Sequence, residues 1–128
     1  MIRSNLRHFD VSEFRHPELV DDTAAVFLDD VRELYGAALI VTSDARTLEE
    51  NDAAAGSSPT SLHLLGRAFD LRWIDDPEAL WRFVDAVYVT AGDRAVELEL
   101  VNGPSDRHIH VGLYPNGGHK SRLLIRAD

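Results

Sequence analysis

Two imidazoles and one carboxylate carry the chemistry that this sequence offers. Ser61-Leu62-His63-Leu64-Leu65-Gly66-Arg67-Ala68-Phe69-Asp70 sets a histidine and an aspartate on either side of a glycine. Asp106-Arg107-His108-Ile109-His110-Val111-Gly112 adds two more histidines on one side of an alternating run. A catalytic zinc site takes three such protein ligands and keeps a fourth position for water. His63, Asp70 and His110 are the expected ligands. The metal would acidify that water and polarise a carbonyl.

A hydrolase also needs a proton acceptor beside the water. Glu97, Glu99, Asp106 and His108 are the candidates, with Glu99 and His108 foremost. Arg46 follows a strand and enters a long loop, where its guanidinium can grip a substrate carboxylate bidentately. Ser61 stands just ahead of His63, to position substrate or to hydrogen-bond within its own loop. His8, His16 and His119 have no supporting context and read as surface residues. Taken singly, each member of the set has an ordinary reading as a loop or strand-surface residue; the inference comes from the joint pattern.

The elements that must present this cluster follow from periodicity. Residues 1–16 read as an arm packed on the body through Phe9, Val11 and Phe14. Pro17 is expected to open a helix, with Val20, Ala24, Phe27, Val31 and Leu34 as its apolar stripe and Gly36 as its end. Ala37–Thr42 reads as a buried strand. Ser43–Thr60 is a long polar loop, a feature that tends to be functional in a small domain, with Leu48–Ala55 as a short helix inside it. Arg67–Trp73 is the next strand. Asp76 caps a helix that begins at Pro77 and runs past Tyr88. Ala95–Val101, Arg107–Tyr114 and Ser121–Arg126 are strands, joined by turns at 102–105 and 115–118 and expected to form a meander. Trp73 and Trp81 are assigned to packing. The order is α+β: a largely antiparallel sheet with helices packed on one face and the metal site on the other. Gly66 supplies either a left-handed turn or a close backbone approach, so that His63 and Asp70 converge.

Composition sets bounds on the rest. The 128 residues contain no cysteine, which excludes disulfides, thiolate catalysis and cysteine-bound metals. Net charge is −9 and no basic patch shows, which argues against a nucleic-acid partner. Fourteen Asp and eight Glu stand against twelve Arg and one Lys, as a high-salt cytoplasm or a GC-rich coding sequence would produce. The N-terminus has no apolar segment like a signal peptide, and no run is long enough to span a membrane. A protein in the cytoplasm, or one released at lysis, is expected; oligomeric state is not legible.

The motif Ser61-x-His63-x-x-Gly66-x-Ala68-x-Asp70, followed by His108-Ile109-His110, resembles the two metal motifs of the M15 zinc peptidases, the D-Ala-D-Ala carboxypeptidase and L-alanyl-D-glutamate endopeptidase group. Thr42-Ser43-Asp44-Ala45-Arg46 resembles that family's arginine-bearing segment, and Phe9–Phe14 resembles the N-terminal segment of its small members. The resemblance implies a zinc-peptidase-like domain over residues 1–128. It implies Zn²⁺ on His63, Asp70 and His110, with His108 beside the ligand and Arg46 on the substrate carboxylate. The implied reaction is hydrolysis of a peptide bond in cell-wall peptides, as in endolysins. The alternatives are a non-catalytic zinc-binding or phage-tail-associated domain of the same fold, a metal-dependent hydrolase of another small substrate, and a metal-free binding domain. Two positions depart from the family pattern. Arg107 stands where many relatives carry an acidic residue three places before the last ligand, and Ser43-Asp44-Ala45 replaces Ser-Gly-Tyr.

Overall fold

The first helix begins at an aspartate rather than at the proline. The computed structural model describes residues 1–54, 61–115 and 117–127; the distal part of the expected long loop, residues 55–60, and Asn116 in the expected 115–118 turn lie outside them. Helix α1 is Asp22–Tyr35, with the Asp21 side chain accepting from the Ala24 amide and Gly36 closing the last turn at φ 81°. Pro17 instead sits in a turn, and the physical reason is at Asp21. Its amide donates to Gly66 O at 2.9 Å and so is not available to a helix started at residue 17. The buried face of α1 is Ala24, Ala25, Phe27, Leu28, Val31 and Tyr35. Leu34, expected on that stripe, is exposed.

Strand β1 is Val41–Ser43, shorter and later than expected. It pairs with β2 irregularly, through a bulge between Val41 and Ser43. Helix α2, Leu48–Ala53, is capped by Thr47 in a reciprocal box with Glu50. Strand β2 is Ala68–Arg72. Helix α3, Pro77–Ala91, starts with Asp76 capping the Ala79 amide and Pro77 in the first turn, as its sequence dictates. Strands β3 (Val96–Asn102), β4 (Arg107–Leu113) and β5 (Arg122–Arg126) complete the sheet.

The sheet order is β1-β2-β4-β3-β5, antiparallel except where β5 joins β3. The last three strands therefore do not form a meander. β4 has both edges taken, by β2 and by β3, so β5 must cross to the free edge of β3, and it runs parallel there.

Alternation divides the sheet into two faces. Phe69 and Leu71 of β2, Val96, Leu98 and Leu100 of β3, and Ile109, Val111 and Leu113 of β4 are all buried and share one core with the inner faces of α1 and α3. Tyr35 and Phe83 join the two helices edge to face, 5.8 Å between centroids. Each fully buried Phe or Leu contributes on the order of 1.5–3 kcal/mol. Trp73 packs against this core, but Trp81 is exposed, contrary to expectation. The opposite face carries Asp70, Glu97, Glu99, His108 and His110.

The N-terminal arm is held by three carboxylates in one repeating manner. Asp22 Oδ1 accepts from the amides of Arg3 and Ser4, both at 2.8 Å. Asp29 accepts from Arg7 and His8, both at 2.9 Å. Asp44 accepts from Arg15 at 2.5 Å and His16 at 3.0 Å. Phe9 and Phe14 are buried between these ties. Val11, expected to pack with them, is exposed.

Candidate metal centre

Register brings two of the three predicted ligands together. Asp70 of β2 lies directly opposite His110 of β4, and both point away from the helices. Directly opposed residues hold their Cβ atoms about 5 Å apart. The third, His63, comes from the turn that precedes β2. That turn is tied by Leu64 N–H to Ser61 O, Leu65 N–H and Arg67 N–H to Leu62 O, and Gly66 N–H to His63 O. The Ser61 hydroxyl accepts from the His63 amide at 3.2 Å, so Ser61 serves its own turn. Gly66 fulfils both expectations at once: its φ is 69°, and a Cβ there would lie 2.1 Å from Leu19 O. Arg67 fixes the turn from the other side, donating to Asp21, Leu113 O and Tyr114 O.

The result is a tight triad. Asp70 Oδ1 lies 3.3 Å from His63 Nε2 and 3.2 Å from His110 Nδ1. One donor atom from each residue falls within 4.8 Å of the others. Zinc bonds of about 2.0–2.1 Å set the edges of a tetrahedron at about 3.3–3.4 Å. The two short edges of the triad already have that length, and two imidazoles plus a carboxylate are a zinc-type donor set. His63 donates from Nδ1 to the Asp44 carbonyl at 2.6 Å, which fixes its tautomer and leaves Nε2 turned toward the triad. The residues present therefore fit a divalent metal of this kind.

Electrostatics bind the triad without a metal. Burial disfavours the charged form of His110, and the carboxylates of Asp70 and Glu97 outweigh it, raising its pKa to about 9. Burial also opposes ionisation of Asp70, but hydrogen bonds from His110 and His63 hold its carboxyl well below the usual carboxylate range. A metal would take the place of the proton on His110 Nδ1.

The other predicted residues line the same cleft of about 900 Å³. Arg46 Nη2 lies 3.7 Å from Asp70 Oδ2, and its Nη1 donates to Asn51 Oδ1 at 3.5 Å. Arg46 thus places a guanidinium beside Asp70. His108 directs Nδ1 to Asp106 Oδ1 at 2.9 Å. Glu99 stands opposite His110 in register, yet its carboxylate leans to Arg126 at 3.5 Å. Arg107 donates to Asp75 and Asn102 at the rim of the cleft.

Glu97, the less favoured of the two glutamate candidates, makes the direct contact with His110. Its Oε1 lies 2.7 Å from His110 Nε2, and its Oε2 accepts from the Tyr114 hydroxyl at 3.0 Å. The hydrogen bond with His110 lowers the Glu97 pKa. Alternation had placed Glu97 and Glu99 on one face; only the diagonal reach of the side chain separates them. Tyr114 was not singled out, and His119, read as a surface residue, is exposed but lines the cleft. Their rings stack at 4.3 Å, 6° from parallel, on the cleft wall. No spacing signal announces that pair, because a turn separates them.

A family model described as Peptidase M15 matches residues 5–112. The chain belongs to the peptidase M15 family. The matched stretch includes the arm segment Phe9–Phe14, Arg46, the His63–Asp70 motif and His108-Ile109-His110. No match is found among curated proteins. M15 membership makes this a metallopeptidase of a zinc-using family acting on a peptide, and its His63-Asp70-His110 cluster can hold the metal. β5, with Arg122 and Arg126, lies beyond the matched stretch of this M15 chain yet lines its cleft. Among the described residues no helix is long and apolar enough to cross a membrane.

Proposed function

We propose that this M15 peptidase hydrolyses a peptide bond in cell-wall peptides, with zinc on His63 Nε2, an Asp70 carboxylate oxygen and His110 Nδ1. The observation that carries the reading is the spacing of these donors, whose two short edges match a tetrahedral zinc site. When bound, zinc supplies Lewis-acid polarisation of a carbonyl and acidifies water.

The chain's own residues do the rest. Arg46 receives a substrate carboxylate at the mouth of the cleft, exchanging its long contact with Asp70 for a bidentate one. Ser61 holds the His63 turn and flanks the substrate. His108 is the proton carrier: Asp106 engages its Nδ1 and leaves Nε2 for the reacting water, the arrangement of a base with an orienting carboxylate. Glu99 is the less suited of the two proton acceptors, because its carboxylate turns to Arg126 of β5, 3.5 Å away. Glu97 orients His110 from the far side of the ring.

The test is cleavage of short cell-wall peptides, scored by mass spectrometry, with the wild type, His110→Ala, His108→Ala and Glu99→Gln. Cleavage is expected only with zinc, abolished in His110→Ala and reduced about 10²–10⁴-fold in His108→Ala. A folded, zinc-loaded wild type with no cleavage of any such peptide would return the protein to the non-catalytic reading. Full activity in His108→Ala would move the proton-accepting role elsewhere.

A further inference from the structure

Asp44 differs from the other two aspartates that hold the arm. Asp22 and Asp29 use only their side chains. Asp44 uses its side chain for the arm and its backbone carbonyl for the metal centre. Its carboxylate takes the amides of Arg15 and His16, while its carbonyl takes Nδ1–H of His63 at 2.6 Å. The residue is wholly buried. The tie runs both ways, because the Arg46 amide, two residues on, donates to His63 O at 2.9 Å. The arm reaches a second ligand as well: Phe14 packs edge-on against Phe69, 5.9 Å between centroids, and Phe69 adjoins Asp70.

We infer that Asp44 is a positioning residue that couples docking of the N-terminal arm to the metal affinity of His63. The physical argument is geometric. The Asp44 carbonyl sets the tautomer and ring orientation of His63, and the direction of that carbonyl depends on where the Asp44 backbone lies. Two amides from the arm pin the buried side chain, and through it the backbone. Release of the arm leaves a buried carboxylate with its acceptors unpaired, which the chain relieves by moving residue 44. His63 then loses its fixed orientation. Among the described residues nothing comparable joins Asp29 to the centre, although Asp29 grips the arm with the same pair of bonds.

The inference rests on the zinc reading above, and the two can fail separately. Zinc affinity is measured by chelator competition in the wild type, Asp44→Asn and Asp29→Asn, with thermal unfolding of each alongside. Asn at either position keeps the shape and backbone but presents N–H₂ to one of the two arm amides, so both variants loosen the arm. Asp44→Asn is expected to raise the zinc Kd about tenfold, the lower end of the cost of disturbing an outer-shell partner. Asp29→Asn should leave it within about twofold of the wild type. Equal affinity in Asp44→Asn and wild type, or equal losses in both variants, would overturn the coupling.

If Asp44→Asn does not fold, the wild type decides the matter by hydrogen exchange. Linkage is reciprocal, so zinc should slow exchange at the Arg15 and His16 amides more than at Arg7 and His8. Uniform protection of all four would end the proposal. If the wild type takes up no zinc, it is the metal reading that fails. The His63 Nδ1–H resonance in metal-free wild type and Asp44→Asn then tests the positioning role by itself, and an unchanged resonance refutes it.

Discussion

Glu97 Oε1 and His110 Nε2 are 2.7 Å apart, on neighbouring strands but diagonal to each other rather than opposed. With Asp70 at the other ring nitrogen, His110 stands between two carboxylates. In metal-free protein both nitrogens therefore carry protons, which accounts for a pKa raised to about 9. Glu97→Gln removes one of the two anions. The His110 midpoint, followed by NMR, should fall from about 9 toward the ordinary 6.5. An unmoved midpoint would mean that Asp70 alone holds the proton.

The same raised pKa gives the metal-free protein a signed pH dependence. The contribution of His110 to stability is fully present below its ordinary 6.5 and is lost as pH rises through about 9. Zinc acts in the opposite sense, since it must displace that proton and binds more tightly as pH rises across the same window. Metal-free melting temperature should therefore decline between pH 7 and 9, while the gap opened by added zinc widens. At free zinc 100-fold above Kd that gap corresponds to about 2.7 kcal/mol. Calorimetry with and without chelator measures it, and a gap that narrows as pH rises would contradict displacement of the His110 proton.

Gly66→Ala should be among the most damaging single methyl additions in the chain. The position has φ 69° and the added carbon would meet Leu19 O at 2.1 Å. Backbone strain of about 1–3 kcal/mol and overpacking of about 1–3 kcal/mol both apply. Gly36→Ala is the comparison: φ is 81° but nothing lies within 4 Å, so only about 1 kcal/mol is expected. Urea unfolding of the two variants separates close approach from conformation, and similar losses would remove the close approach as a cause.

His16 and Glu50 pair at 3.0 Å at the base of the arm. The Glu50 bond raises the His16 pKa from 6.5 against a small opposing effect of burial. Glu50 is lowered from 4.5 to about 2, first by the Thr47 amide and then by His16. The histidine's contribution is complete below 6.5 and disappears above its raised folded value. The carboxylate's is complete above 4.5 and is lost as pH falls through about 2. The pair should be strongest between pH 4.5 and 6.5. The melting-temperature difference between wild type and His16→Gln should peak there and close as pH rises past the raised His16 midpoint; a difference independent of pH would show a packing role only.

Much of this arrangement was legible in the residues. The α+β order, the cap at Asp76, and the face shared by Asp70, His108 and His110 all follow from period-two and helical spacing. The glycine between His63 and Asp70 announced a tight turn. What was not legible depends on the third dimension. Pro17 looked like a helix start until the Asp21 amide found Gly66 O. The meander failed because β4 already had two partners. Glu99 stands opposite His110 in register, but it is the side chain of Glu97 that crosses the diagonal to it. The excess of aspartate read as surface charge, whereas Asp29 and Asp44 are buried acceptors for the arm and Asp22 is a half-buried one.

Asp70 and His110 are 40 residues apart in the chain, on strands with α3 and β3 between them. An ion gripping both would act as a removable stitch, closing a long loop in the unfolded chain and locking β2 to β4 in a single register. Scarcity of metal would then cost the protein twice: the reaction would stop, and the seam between β2 and β4 would slacken.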